Sequence, residues 1–201
     1  MDARDLLLEE HSVMHSAAVG GNKASLAERT FAGLTDDQMR VRPREDLNSL
    51  AWIMWHIARA EDIMANVIVN GRNQVFDDGW APRLKIARPD FGIGMSKAEV
   101  AEMSEAVDIA ALKDYRDAVG RRTQEIVGAY GTKDWEGEVE AAAAERAGAL
   151  GCFGSRTEAL VKGMTGRPRR AVLSSIVVMH SAMHMGEGAT VRTAGGFGTG
   201  V

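Results

Sequence analysis

Five histidines occur in the 201 residues, and two of them, His180 and His184, stand four apart in the run VMHSAMHMGE over 178–187. Residues four apart lie on one face of a helix, so two imidazoles at this spacing can reach a single metal ion. A third, His56, sits in the strongly apolar run AWIMWHI over 51–57. Two ligands from one helix and one from another leave an ion with an open coordination position, the arrangement of a reactive site rather than a structural one. The plain alternative is three core histidines held by hydrogen bonds. Leu173, Ile176 and Val177 precede His180 and His184 at three- and four-residue steps, and Ile53 and Ala60 flank His56. All three rings therefore point into apolar faces, where each needs partners for both nitrogens. Spacing alone leaves ligand and core residue evenly balanced.

Other residues carry weaker signals. Glu187 follows His184 by three and shares its face, as a carboxylate orienting a ligand, a fourth ligand, a proton-transfer group or a solvated side chain. Glu61 lies off the face of His56 and reads as structural. His11 and His15 repeat the four-residue spacing among polar neighbours and read as a partly exposed pair, with a second metal site or the mouth of the first as the functional options. Arg167, Arg169 and Arg170 crowd cations at a helix start, against its dipole, which suits either a bound anion or a solvated surface cluster. Cys152 lies in a connector with no nearby histidine and reads as a structural thiol.

The elements that must position these residues are helical. Apolar spacing predicts a first helical segment from Asp5 to Leu34, broken or bent at Gly20–Asn22, and a capped turn at Thr35–Gln38. It predicts a second helix from about Asn48 to Asn70, a third from about Asp108 to Tyr130 after a capping box at Ser96–Glu99, and a fourth from about Pro168 to Thr193. The alanine-rich stretch 141–149 suits a short helix. No strand alternation or internal repeat is visible, so the expectation is one all-α domain over 1–201, a four-helix bundle with a flexible glycine-rich tail over 194–201. The segment 72–95 between the second and third helices is long and carries Phe76, Trp80 and Phe91. It reads either as a functional cover or as padding at the bundle end.

Composition sets limits. A net charge of −4 argues against a nucleic-acid partner, and no uncharged apolar run is long enough to span a membrane. One cysteine precludes an internal disulfide, and the acidic start does not resemble a signal peptide; together these suggest a cytoplasmic protein.

The stretch NSLAWIMWHIARAED over 48–62, together with the later His-x3-His-x2-Glu, resembles the DinB/YfiT-like metalloprotein superfamily, as do FDDGW over 76–80 and DFGIGMS over 90–96. The resemblance spans about residues 28–192. It implies a four-helix bundle with up-down-down-up connections, often a homodimer, and a divalent metal, zinc or nickel in different members, on His56, His180 and His184. Several members are S-transferases or isomerases that use a low-molecular-weight thiol, mycothiol or bacillithiol, so the resemblance implies a thiol and an electrophile as substrates. A non-catalytic metal- or ligand-binding stress protein and a metal-dependent hydrolase are the competing readings. No residue identifies a particular thiol.

Overall fold

Four long helical segments pack in a ring in the computed structural model, which describes residues 2–199. They are α1 (Ala3–Met14), α5 (Leu50–Glu61) with its π-helical continuation Asp62–Val69, α8 (Ile109–Gly128), and a last helix. The last helix runs from α12 (Arg169–Leu173) through a π-helical stretch, Ser174–His180, into α13 (Ser181–Ala194). α1 contacts α8, α8 contacts α5, α5 contacts α13, and the last helix returns to α1. Shorter helices fill the connections: α2 (Ala17–Gly20), α3 (Leu26–Phe31), α4 (Asp36–Arg40), α6 (Trp80–Leu84), α7 (Lys97–Ala106), α9 (Thr132–Glu136), α10 (Ala141–Ala149) and α11 (Thr157–Met164). The described residues contain no strand beyond an isolated bridge, Glu138 to Pro168.

Polar side chains start these helices where the sequence places them. Thr35 and Gln38 form a reciprocal capping box on α4, as do Ser96 and Glu99 on α7. Ser49 accepts from the Trp52 amide to open α5, and Asp108 accepts from the Ala111 amide to open α8. Each such cap satisfies an amide that has no partner inside its own helix and contributes about 1 kcal/mol. Every residue of α5 is buried, which explains its nearly continuous apolar sequence.

Several expectations need correction. The first segment is three helices: the chain breaks at Gly20–Asn22, where Gly21 ends α2 in the left-handed region, and also, unforeseen, at His15, whose extended backbone ends α1. His15 turns inward there, and the Ser16 hydroxyl donates to Asp117 on α8. Ser96–Glu99 opens a separate helix, α7, before α8 begins. The tail is tied down over 195–199: the Arg192 guanidinium donates to the Phe197 carbonyl, and Phe197 in turn donates to the Arg192 carbonyl. Gly200 and Val201, also placed in the flexible tail, lie outside the described residues. No helix among the described residues is long and apolar enough to cross a membrane.

The segment 72–95 is fastened to the bundle by a buried polar network that the sequence reading missed. Asp62, fully buried, accepts from the Val75 and Phe76 amides at 2.7 and 2.9 Å, from the Tyr115 hydroxyl at 2.7 Å and from Arg59 at 3.1 Å. Arg59 also donates to Gln74 and to the Pro89 carbonyl. Phe76, Leu84, Ile86 and Phe91 are buried beneath this clasp. The signal in the sequence was Arg59 and Asp62 themselves, two of three charges, with Glu61, in an otherwise apolar stretch, where burial is tolerated only in a paired and hydrogen-bonded state.

Candidate metal centre

His56 from α5 and His180 and His184 from the last helix converge, each offering a ring nitrogen, with the three donor atoms all within 4.8 Å of one another. The Nε2 atoms of His56 and His180 are 3.1 Å apart, and the rings of His180 and His184 are nearly perpendicular at 4.6 Å between centroids. His56 is buried, while His180 and His184 are partly exposed, so the group lies at a mouth and not in a closed core.

The chain orients two of the three rings from behind. His56 Nδ1 donates to the Phe91 carbonyl, and the Trp52 indole, one helical turn earlier, stacks on the imidazole at 4.7 Å and 10°. Gly92 permits this: its φ of +88° is in the left-handed region, and a Cβ there would come within 2.7 Å of the Trp55 ring. His184 Nδ1 donates to Glu187 at 2.6 Å, and Asn48 holds the other Glu187 oxygen at 2.8 Å. With both Nδ1 atoms donating, His56 and His184 present bare Nε2 lone pairs toward His180. Three ring nitrogens thus meet at one point. His180 Nδ1 has no partner at all. A divalent ion answers this arrangement because it accepts all three lone pairs, so the residues present fit a metal.

Electrostatics keeps the His56 and His180 rings neutral. Burial pushes His56 down to about 4, against its hydrogen bond to Phe91. Burial, followed by the neighbouring His56 and His184, pushes His180 down to about 3. For Glu187, burial opposes ionisation, but the hydrogen bonds from His184 and Asn48 outweigh it and hold the carboxyl below its usual range. Glu187 therefore stands behind a candidate ligand as a carboxylate, one of the roles its spacing allowed.

The remaining sequence candidates lie elsewhere. His11 and His15 are not a partly exposed pair; both are 1% exposed, and each ring Nε2 meets one oxygen of Glu61, at 3.0 and 3.1 Å. Glu61 is indeed off the face of His56, but its two oxygens belong to this second cluster. Arg169 and Arg170 reach back to the chain that precedes α12, pairing with Glu140 and Glu136. From Arg170 to His180 is a rise of about 15 Å along a helix, so this cluster does not serve the mouth. Its charges are balanced by those glutamates, which the sequence reading did not connect to it. Cys152 is buried, and burial pushes its thiol up, in keeping with a structural role. Phe91, Asn48 and Trp52 were not foreseen as parts of the site. Trp52 carried a signal, since it stands four residues before His56; the Phe91 carbonyl carried none.

Both helices that carry these histidines contain π-helical stretches, Asp62–Val69 beyond His56 and Ser174–His180 ending on His180. Such underwound turns recur at functional sites because they re-aim side chains without breaking the helix.

A crystal structure described as the conserved protein of locus from Enterococcus faecalis superposes with a TM-score of 0.67 over 96% of this chain and 97% of that one, at 18% identity. That likeness establishes a shared fold. No curated protein matches the chain. The family model of the DinB superfamily matches residues 23–187, a span that includes His56, His180, His184 and Glu187, and the chain belongs to the DinB superfamily.

Proposed function

We propose that the chain binds a divalent metal, zinc or nickel, through His56, His180 and His184 and uses it to transfer a low-molecular-weight thiol such as mycothiol or bacillithiol to an electrophile. The observation that carries the reading is the convergence of three imidazoles, two of them oriented from behind by Phe91 and Glu187, at a mouth with no protein carboxylate among the donors. An ion held by three neutral ligands keeps its full 2+ charge, which favours thiolate over thiol at neutral pH. The chain's own part is orientation and access. His184 and Glu187 retain 18% and 29% side-chain exposure, leaving an entry for substrate and an exit for the thiol proton to solvent. Trp52, whose indole N–H points to the Met95 sulfur at 3.2 Å, gives the site an apolar wall against the carbon skeleton of an electrophile. In the transfer, sulfur forms the new bond to the electrophilic carbon as the leaving group departs with its bonding pair. The DinB superfamily membership supports the same reading. The protein acts in the cytoplasm, as a homodimer, with small molecules and not nucleic acid as partners.

The test is consumption of an activated halide by a panel of small thiols, with metal-loaded protein and with His184→Ala. Thiol-dependent, metal-dependent turnover that collapses in the variant supports transfer. Cobalt-substituted protein should change its visible spectrum when thiol is added, since sulfur entering the coordination sphere alters the ligand field. Ester or amide turnover without thiol would establish hydrolysis instead. Metal retention with neither turnover nor spectral response would leave a binding protein and end the transferase reading.

A further inference from the structure

We propose that His11, His15 and Glu61 form a second, enclosed divalent-metal site on the other side of α5. His11 stands in the last turn of α1 and His15 just past its end, and the carboxylate comes from α5; all three are at least nineteen-twentieths buried, at 1%, 1% and 3% exposure. Their donor atoms all lie within 4.8 Å of one another, as in the first group. The Nε2 atoms stand 3.0 and 3.1 Å from the two Glu61 oxygens. Ligands bound to zinc at about 2.0–2.2 Å with angles near 90–110° are about 3.0–3.5 Å apart, so an ion fits with small adjustments. Two neutral nitrogens and one carboxylate form a donor set known to hold zinc. The protonation states are those a metal needs: burial pushes His15 down to about 4, and Glu61 is held ionised by the two rings facing it.

One further observation shows that room is made for the ring. Gly120, in the interior of α8, is the residue against which the His15 ring packs, and a Cβ there would stand 2.4 Å from the ring. A glycine inside a helix costs about 1 kcal/mol relative to alanine, so the fold accepts a penalty to admit this imidazole. The Nδ1 atoms of both rings lack partners, so hydrogen bonding to Glu61 satisfies only half of each side chain. Those two atoms are unpaired with or without an ion and do not distinguish the states.

A charge environment accompanies the cluster. A cavity of about 270 Å³ lies nearby, lined by Ser16, Glu28, Met54, Lys113, Arg116 and Asp117 and by none of the three candidate ligands. Three carboxylates, Glu61, Glu28 and Asp117, bear on the single buried guanidinium of Arg116. Lys113 borders the cavity, and Arg121 approaches Asp117 at 3.9 Å. The Arg116 guanidinium donates to the Met14 carbonyl at 2.6 Å rather than to Glu61. No arginine or lysine therefore pairs directly with the buried carboxylate, and a divalent ion would supply that charge.

The experiment is metal stoichiometry of the full chain, stripped with chelator, saturated with zinc and desalted, together with anomalous diffraction from zinc-soaked crystals. Wild type is expected to hold about two ions per chain, His180→Ala about one, Glu61→Gln about one, and the double variant none. Glutamine keeps the size of Glu61 and removes its charge, and circular dichroism checks that this variant folds. Equal zinc in wild type and folded Glu61→Gln overturns the proposal and leaves a hydrogen-bonded clasp only. So does an anomalous map of wild-type crystals without a peak between His11, His15 and Glu61, which decides the matter even if the variant does not fold. An unchanged ion count in His180→Ala, by contrast, refutes the three-histidine centre and leaves this site standing.

Discussion

Replacing Gly120 with alanine should destabilise the protein, although the same replacement in an ordinary helix stabilises it. The propensity gain from removing a mid-helix glycine is about 1 kcal/mol. Against it, the new Cβ would lie 2.4 Å from His15 Cε1 and 2.7 Å from both ring nitrogens, so the ring itself must move. Overpacking of this kind costs about 1–3 kcal/mol. Moving the ring also breaks its hydrogen bond to the buried Glu61 carboxylate, worth about 1.5–3 kcal/mol for a bond to a charged group. The net expectation is a loss of about 2–5 kcal/mol, the sum of those two costs less the propensity gain. Urea denaturation of the chelator-treated protein, followed by helical circular dichroism, measures it. Gly186→Ala is the internal control, because Gly186 is also inside a helix but a Cβ there meets nothing within 4 Å. That variant should match or exceed wild type by up to about 1 kcal/mol. If Gly120→Ala is as stable as Gly186→Ala, the His15 ring is not held where the argument places it.

Acid should weaken the metal-free protein well before its carboxylates titrate. The unfolded chain protonates histidine near 6.5, whereas folded His15 and His56 resist until about 4 and His180 until about 3. Between pH 6.5 and 4 the unfolded state therefore binds more protons and stability falls with pH, by at most about 1.4 kcal/mol per pH unit for each ring. A melting temperature that stays flat from pH 6.5 to 4.5 after chelation would contradict these burials. Asp62→Asn should cost about 3–5 kcal/mol by leaving Arg59 as an uncompensated buried charge; limited proteolysis should then cut first within 72–95, and initial cleavage elsewhere would show that Asp62 does not fasten that segment. Glu187→Ala should weaken zinc binding at the three-histidine centre by about 10–100-fold while leaving the fold intact, because His184 loses the carboxylate that fixes its ring. Competition with a chromophoric chelator reads this directly, and an unchanged affinity would reduce Glu187 to a surface group.

The sequence by itself determined the helices and the one-plus-two histidine pattern. Apolar residues at helical spacing and polar caps such as Ser49, Ser96 and Asp108 are local properties, and so is the four-residue step that puts His180 and His184 on one face. The same local logic misjudged His11 and His15. Their sequence neighbours are polar, but burial depends on what packs from other helices, here Glu61 from α5 and the Cβ-free surface of Gly120 on α8. It also could not place the Phe91 carbonyl behind His56, because a backbone oxygen 35 residues away has no side-chain signature. Nor could it register the π-helical stretches in both helices that carry the candidate ligands. Local pattern fixes which face of a helix is apolar; only the packing of four helices against one another decides which polar groups meet inside.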